Sequence, residues 1–226
     1  MYTLYIANKN YSSWSLRPWL LMTELAIPFA ERLEHFSDNL DDFRRFSPSG
    51  RVPCLHDGGT VVYDSLAIVE YLAERHAGVW PADGAARNWA RCACAEMHSG
   101  FTALRNICGM NCGLRVRLNE VSPALRADLD RMEELWGEGL KRFGGPFLAG
   151  DKFTAVDAFF GPVAFRFQSY RPPVGDVANG YVRRLLALPA MQRWYADALK
   201  EPWRDAGHEA DVAAVGMVVE DLRVRA

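Results

Sequence analysis

The chain is short of lysine, with only 4 against 22 arginines, and it has no surplus of positive charge: 26 basic groups face 28 acidic ones. A nucleic-acid binder would show a basic excess, so that class of partner is set aside. Long apolar runs are also missing. The best, Val212–Val219, has eight residues and contains a glycine, well below the roughly 18 that a membrane helix needs. The opening residues Met1-Tyr-Thr-Leu-Tyr5 lack the basic start and long apolar stretch of an export signal. Cysteine is sparse and odd in number, at five. An odd count argues against a disulfide framework and for reduced thiols, hence a cytoplasmic setting. Four of the five, Cys92, Cys94, Cys108 and Cys112, fall near His98. Their C-x-C and C-x₃-C spacings do not match structural zinc pairs, so no metal is expected, and helical cysteines pack as small apolar groups. There is no internal repeat.

What remains is an ordinary globular composition, half hydrophobic over 226 residues, long enough for two modest domains. Residues 1–77 alternate short β-type runs with helical stretches. Thr3–Ala7 reads as a strand. Ser15 is the expected N-cap of a helix through Leu25, with Pro18 in its first turn. Phe29–Phe36 is a second strand and Leu40–Phe46 a short helix. Val52–His56 and Thr60–Tyr63 flank Asp57-Gly-Gly59 as a hairpin, and Asp64-Ser65 caps a helix over Leu66–Arg75. The order βαβ then ββα predicts a small mixed sheet with helices. Gly78–Gly84 is punctuated like a linker. The rest reads as almost wholly helical. Ala93, Met97, Phe101, Leu104 and Cys108 share one helical face. Leu125 to Phe143 form another, opened by Ser122-Pro123 and stopped by Gly144-Gly145. Thr154–Asp157 opens a third in the manner of a capping box, and Leu188-Pro189 opens a fourth. Such helices, joined by short loops, make a bundle.

Three local patterns then coincide. Tyr11-Ser-Ser-Trp-Ser-Leu-Arg17 follows the first strand. Arg51-Val-Pro-Cys-Leu55 is followed by Tyr63-Asp-Ser-Leu-Ala-Ile-Val-Glu-Tyr-Leu72. Gly150-Asp-Lys-Phe-Thr-Ala-Val-Asp157 comes later. In this order they resemble the cytosolic glutathione transferases, with the first similar to the serine motif of the zeta and tau classes. The resemblance implies a thioredoxin-like α/β domain over residues 1–77, a linker over 78–87 and an all-helical bundle domain over 88–226. It also implies a homodimer, glutathione as co-substrate, and transferase chemistry of the detoxification kind on a small electrophile. Carried onto this chain, it makes Ser12 catalytic, with Ser13, Arg51, Val52, Asp64 and Ser65 holding glutathione and Pro53 in cis. Trp14, Met97, Phe101 and Arg105 become candidates for the electrophile pocket.

The chemistry can be argued from the residues. A strand edge at Val52 offers free backbone groups to an extended peptide. The start of the helix at Asp64-Ser65 can take a carboxylate, and Asp64 can pair with an ammonium. A free thiol titrates near 8.5. Holding it about two units lower requires about 2.7 kcal/mol of preference for the thiolate, within the roughly 1.5–3 kcal/mol of one charge-assisted hydrogen bond. A serine hydroxyl therefore suffices without a general base. Ser13 and Ser15 are rivals to Ser12, and Ser15 is the better cap. The resemblance also leaves a weak peroxidase open, and two further readings stand beside the transferase. One is a zeta-like isomerase of a maleyl-type diacid, against which Asp64 stands in place of Gln and Trp14 in place of Cys. The other is a non-catalytic member of the same fold. The Ser12–Ser15 stretch has no cysteine, which argues against thiol–disulfide chemistry.

Overall fold

The strand Tyr2–Ala7 (β1) lies at the centre of the first layer because its inward residues Leu4 and Ile6 are fully buried. A computed structural model describes residues 1–36 and 40–224, and of residues 40 and 41 the backbone only. After β1 come helix α1 (Ser13–Glu24) and strand β2 (Phe29–Glu34), which returns parallel to β1. A 3₁₀ turn covers Leu40–Arg45. Strands β3 (Cys54–Asp57) and β4 (Thr60–Val62) form the antiparallel hairpin, and the sheet order is β2-β1-β3-β4. Helix α2 (Ser65–Ala73) follows, capped by Asp64, whose Oδ1 accepts the Leu66 N–H at 3.0 Å.

Helix α3 (Gly84–Ser99) begins inside the stretch expected as linker, because Asp83 caps it by accepting the Ala86 N–H at 2.8 Å. The apolar face expected to run from Ala93 to Cys108 is broken. Phe101 adopts a left-handed φ of 53°, and a new helix, α4 (Thr102–Ile107), starts beyond it. The break is stitched by side chains. Arg105 Nη1 donates to the carbonyls of His98 and Gly100, each at 3.3 Å, and Asp128 accepts the Leu104 N–H at 2.9 Å. A basic side chain turned back onto the last carbonyls of a helix satisfies acceptors that have no helical partner.

The second part is almost wholly helical, as expected, and carries one short two-stranded sheet besides. Strand β5 (Leu114–Leu118) precedes helix α5 (Pro123–Phe143), and it pairs antiparallel with β6 (Gly216–Asp221) near the end of the chain. Between them run α6 (Ala155–Tyr170), α7 (Asp176–Leu186), α8 (Pro189–Lys200) and α9 (Ala206–Val215). Helix α6 is the axis of the bundle, and nearly every residue on it is buried. Its start is tied by Asp157, which accepts the N–H groups of Thr154 and Leu148 and the Tyr181 hydroxyl, at 3.0, 3.0 and 2.8 Å. Gly161 lets α1 approach, since a Cβ there would lie 2.7 Å from Leu20 Cδ2.

The turn between β1 and α1 is bolted to the bundle. Glu201 accepts the Lys9 and Asn10 N–H groups at 2.7 and 3.2 Å. Trp194 Nε1 donates to the Lys9 carbonyl at 2.8 Å. The Lys9 ammonium pairs with Glu31 and Asp197, both at 2.8 Å. Asn10 bonds Asn111 at 2.9 Å and Gly113 N–H at 3.0 Å. Each of these groups except the exposed Glu31 is buried or half-buried, where an unmade bond costs about 1–3 kcal/mol, so the turn has little freedom to shift.

Candidate active site

That fixed turn delivers Tyr11, Ser12, Ser13 and Trp14 into the wall of a cavity of about 640 Å³. Helix α1 begins three residues earlier than the Ser15 cap would place it. The Ser12 N–H bonds the Asn8 carbonyl at 2.9 Å and the Leu16 N–H bonds the Ser12 carbonyl at 3.2 Å, so Ser12 holds the N-cap position. Ser15 is instead a buried residue of the first turn, and Pro18 is the sixth residue of the helix rather than part of its first turn. Ser15 Oγ accepts the Ala7 N–H at 3.2 Å and the Ser12 hydroxyl at 2.7 Å. Three serines fall within four positions, and sequence alone favours Ser15 as the cap. The bond to Asn8, made across the turn, decides among them.

Ser12 is 5 % exposed and Ser13 half-exposed, and both face the cavity. The opposite rim carries Arg51 and Val52. The Val52–Pro53 peptide is cis. Strand β3 begins only at Cys54, and among the described residues neither the N–H nor the carbonyl of Val52 has a partner. Asp64 and Ser65, at the start of α2, are not part of the cavity lining. Asp64 is exposed and meets His98 Nε2 at 3.2 Å. Burial holds the His98 imidazole below its ordinary value, opposed by that carboxylate. The Ser65 hydroxyl is fully buried without a hydrogen-bond partner among the described residues. Met97 and Phe101 lie in the core, away from the cavity, whereas Trp14 and Arg105 line it.

The rest of the wall was not singled out in the sequence. Phe36 and Phe43 come from the segment after β2, Met110 from beyond α4, Arg166 from α6, and His208 and Asp211 from α9. Arg166 left a signal: it is the lone charged residue in the run Ala158–Phe167 of an otherwise apolar helix. Tyr11 donates to Glu209 Oε1 at 2.6 Å, and burial with that carboxylate pushes its hydroxyl up to about 12. Glu209 is held in turn by Arg223, whose Nη2 lies 3.1 Å away, so α9 is clamped to the site. No cysteine lines the cavity. Burial raises the thiols of Cys94 and Cys112, and pushes that of Cys108 up to about 12. A thiolate used here therefore arrives with a ligand.

The fold and cavity define a protein in which a small α/β layer and a helical bundle share one ligand site. Residues 11–75 match the N-terminal domain of glutathione S-transferases, and residues 116–197 match their C-terminal domain. The chain belongs to the glutathione S-transferase superfamily. The glutathione S-transferase GstA of Escherichia coli O157:H7 is 29 % identical over 130 residues, a match that covers 54 % of this chain and 60 % of that protein. A probable maleylacetoacetate isomerase of Vibrio cholerae is 26 % identical over 176 residues, 73 % of this chain and 78 % of that one. Among solved structures, a glutathione transferase homologue from Burkholderia with bound glutathione superposes with a TM-score of 0.67 at 23 % identity, covering 87 % of this chain and 97 % of that one.

Proposed function

We propose that the chain is a glutathione transferase in which the Ser12 hydroxyl holds the glutathione thiol as a thiolate for attack on a small electrophile. The position of Ser12 carries this reading: a hydroxyl at the N-terminus of α1, in the cavity wall, already oriented by a second hydroxyl. Hydroxyl protons rotate. When a sulfur arrives, Ser12 turns its proton to the sulfur and accepts the Ser15 proton in exchange, while Ser15 keeps the Ala7 N–H. The first-turn amides of α1 and its positive end add to the preference for a negative sulfur. The thiol proton leaves to solvent, and the thiolate forms the new carbon–sulfur bond.

The unpartnered Val52 backbone supports strand-like binding of the cysteinyl part. The α2 N-terminus with the unpartnered Ser65 hydroxyl supports binding of the γ-glutamyl carboxylate, with Asp64 taking its ammonium and Ser13 and Arg51 flanking. This reading makes residues 1–77 the glutathione-binding domain. Residues 88–226 then supply the electrophile wall, with Trp14 and Arg105 facing each other across the two, and the contact of a homodimer. Retention on glutathione-agarose tests the binding site. The unaltered chain should be retained and Asp64→Ala weakly so; an unaltered chain that passes straight through defeats the reading.

A glutathione-dependent isomerase is the second reading, favoured by the name of the Vibrio cholerae relative. It differs in leaving glutathione unconsumed, so free thiol counted before and after turnover separates the two.

A further inference from the structure

Three arginines from three helices converge beside the cavity. Arg17 of α1 is fully buried, and its Nε and Nη1 have no hydrogen-bond partner among the described residues. Its guanidinium lies 4.1 Å from the centre of the Trp14 ring and 4.8 Å from that of Phe159. Arg105 of α4 lies 4.7 Å from the same Trp14 ring. Arg166 of α6 is 5 % exposed. Its Nη1 donates to the carbonyls of Arg105 and Cys108, and its Nε has no partner among the described residues. None of the three forms an ion pair with a described residue.

Such an arrangement is costly on its own. Burial disfavours a charged guanidinium, and the three repel one another. Burial and the neighbouring Arg105 hold Arg17 down to about 9, and burial holds Arg166 down to about 10. Natural interiors normally give a buried cation a carboxylate. Here the nearest acids are otherwise placed: Asp64 meets His98, and Asp211 stands exposed on the α9 side of the cavity, with His208 held by Asp205 at 2.6 Å. Arg51 adds a fourth positive group at the rim. Trp14, Phe36, Phe43 and Met110 give the wall its flat, apolar surface, beside the polar Ser12, Ser13, Asn106, His208 and Asp211.

We infer that the cavity takes an electrophile with an apolar, flat body and an acid group, the acid being received by the guanidinium groups of Arg105 and Arg166. The Nη1 atoms of both arginines are committed to backbone carbonyls, which aims each fork and leaves its other donors for a carboxylate. Arg17 stands behind Trp14 and adds its charge without touching the ligand. The inference rests on the transferase reading for the chemistry alone. An aryl chloride serves as the example: the glutathione sulfur forms a bond to the ring carbon, the carbon–chlorine bond breaks, and the electron pair leaves with chloride.

The experiment uses a matched pair, a chloronitrobenzoate and the corresponding chloronitrobenzamide, equal in shape and different in charge. Binding of each is measured by calorimetry without glutathione, so the outcome does not depend on the transferase reading. The acid should bind at least about tenfold more tightly than the amide, the scale of one charge-assisted hydrogen bond in a partly dry site. That ratio should collapse in Arg105→Gln and in Arg166→Gln. It should persist in Arg142→Gln, which removes the same charge from a surface pair with Glu138. Should Arg166→Gln fail to fold, Arg105→Gln carries the test alone. Equal binding of acid and amide, no binding of the acid, or a preference untouched by either variant overturns the inference. Acid-selective binding without conjugation would leave it standing and sink the transferase reading instead.

Discussion

Replacing Ser12 by alanine removes one hydroxyl proton and little volume. The effect can be worked from the site. Ser12 is 5 % exposed, so a thiolate beside it has few waters to replace the lost bond. If the Ser12 bond and the helix end together hold the bound thiol about two units below 8.5, the thiol is about three-quarters ionised at neutral pH; released to 8.5 it is about 3 % ionised. Conjugation at neutral pH should then fall by up to about 25-fold, the full figure applying where the hydroxyl supplies nearly all of that preference and the helix end little, and most of the loss should be in kcat, because the tripeptide is held mainly by other groups. The direct assay is the ultraviolet absorbance of the bound thiolate, followed against pH. The unaltered protein should show its transition near 6.5, and Ser12→Ala should move it upward toward 8.5. The deficit should shrink as pH rises through the higher value, since both proteins then hold thiolate. Ser13→Ala should leave the transition in place. The argument is refuted if Ser12→Ala titrates like the unaltered protein, and if Ser13→Ala carries the shift the assignment is wrong by one residue.

The remaining expectations concern the scaffold. Burial pushes the Asp157 carboxyl up to about 6, against an ordinary 3.8. A raised carboxyl adds stability below its unfolded value, and the gain is lost as pH rises through 6. The unfolding free energy of the unaltered protein, read from denaturant titrations, should therefore gain on that of Asp157→Asn as pH falls from 7 toward 4, by an amount on the order of 3 kcal/mol at the acid end; parallel profiles would refute this. Arg223→Ala should release α9, because Arg223 joins Glu209, Asp221 and the Tyr11 hydroxyl. Amide exchange should rise over residues 206–221 and the Michaelis constant for the electrophile should increase, while exchange in α5 and α6 stays put. Unchanged exchange over 206–221 would show that the clamp is decorative.

Helix α5 was legible from the sequence to its end residues. Ser122-Pro123 supplies the cap and the first turn, Gly144 takes the left-handed φ of 79°, and one apolar stripe connects them. Every signal is local, so local reading succeeds. The βαβ–ββα layer was legible for a similar reason, since its hairpin turns on Asp57-Gly-Gly59 and its parallel pair follows from one crossover. Strand β5 was not. Its residues Leu114-Arg-Val-Arg-Leu118 alternate as a strand should, but its partner β6 lies about a hundred residues away, and no short window contains both. The start of α1 failed for a related reason: Asn8, whose side chain is held by the Phe36 N–H from beyond β2, decides which serine caps it.

The same division governs the site. Ser12, Ser13, Trp14, Arg51 and Val52 all line the cavity, and they could be singled out together because they come from two short segments near the start of the chain. The facing wall is assembled from single residues of α4, α6 and α9, each unremarkable beside its own neighbours. Arg166 is the exception that could have been read. Burying a lone guanidinium on a helix that is buried almost throughout is unfavourable unless something outside the chain repays it, and backbone carbonyls satisfy only Nη1. Carbonyl oxygens complete the hydrogen bonds of that nitrogen without cancelling the charge. Arg17 and Arg105 increase the charge rather than offset it. An apolar side chain of similar size would stabilise the fold more, so the retained charge is best explained by a ligand that brings the missing negative group into the cavity.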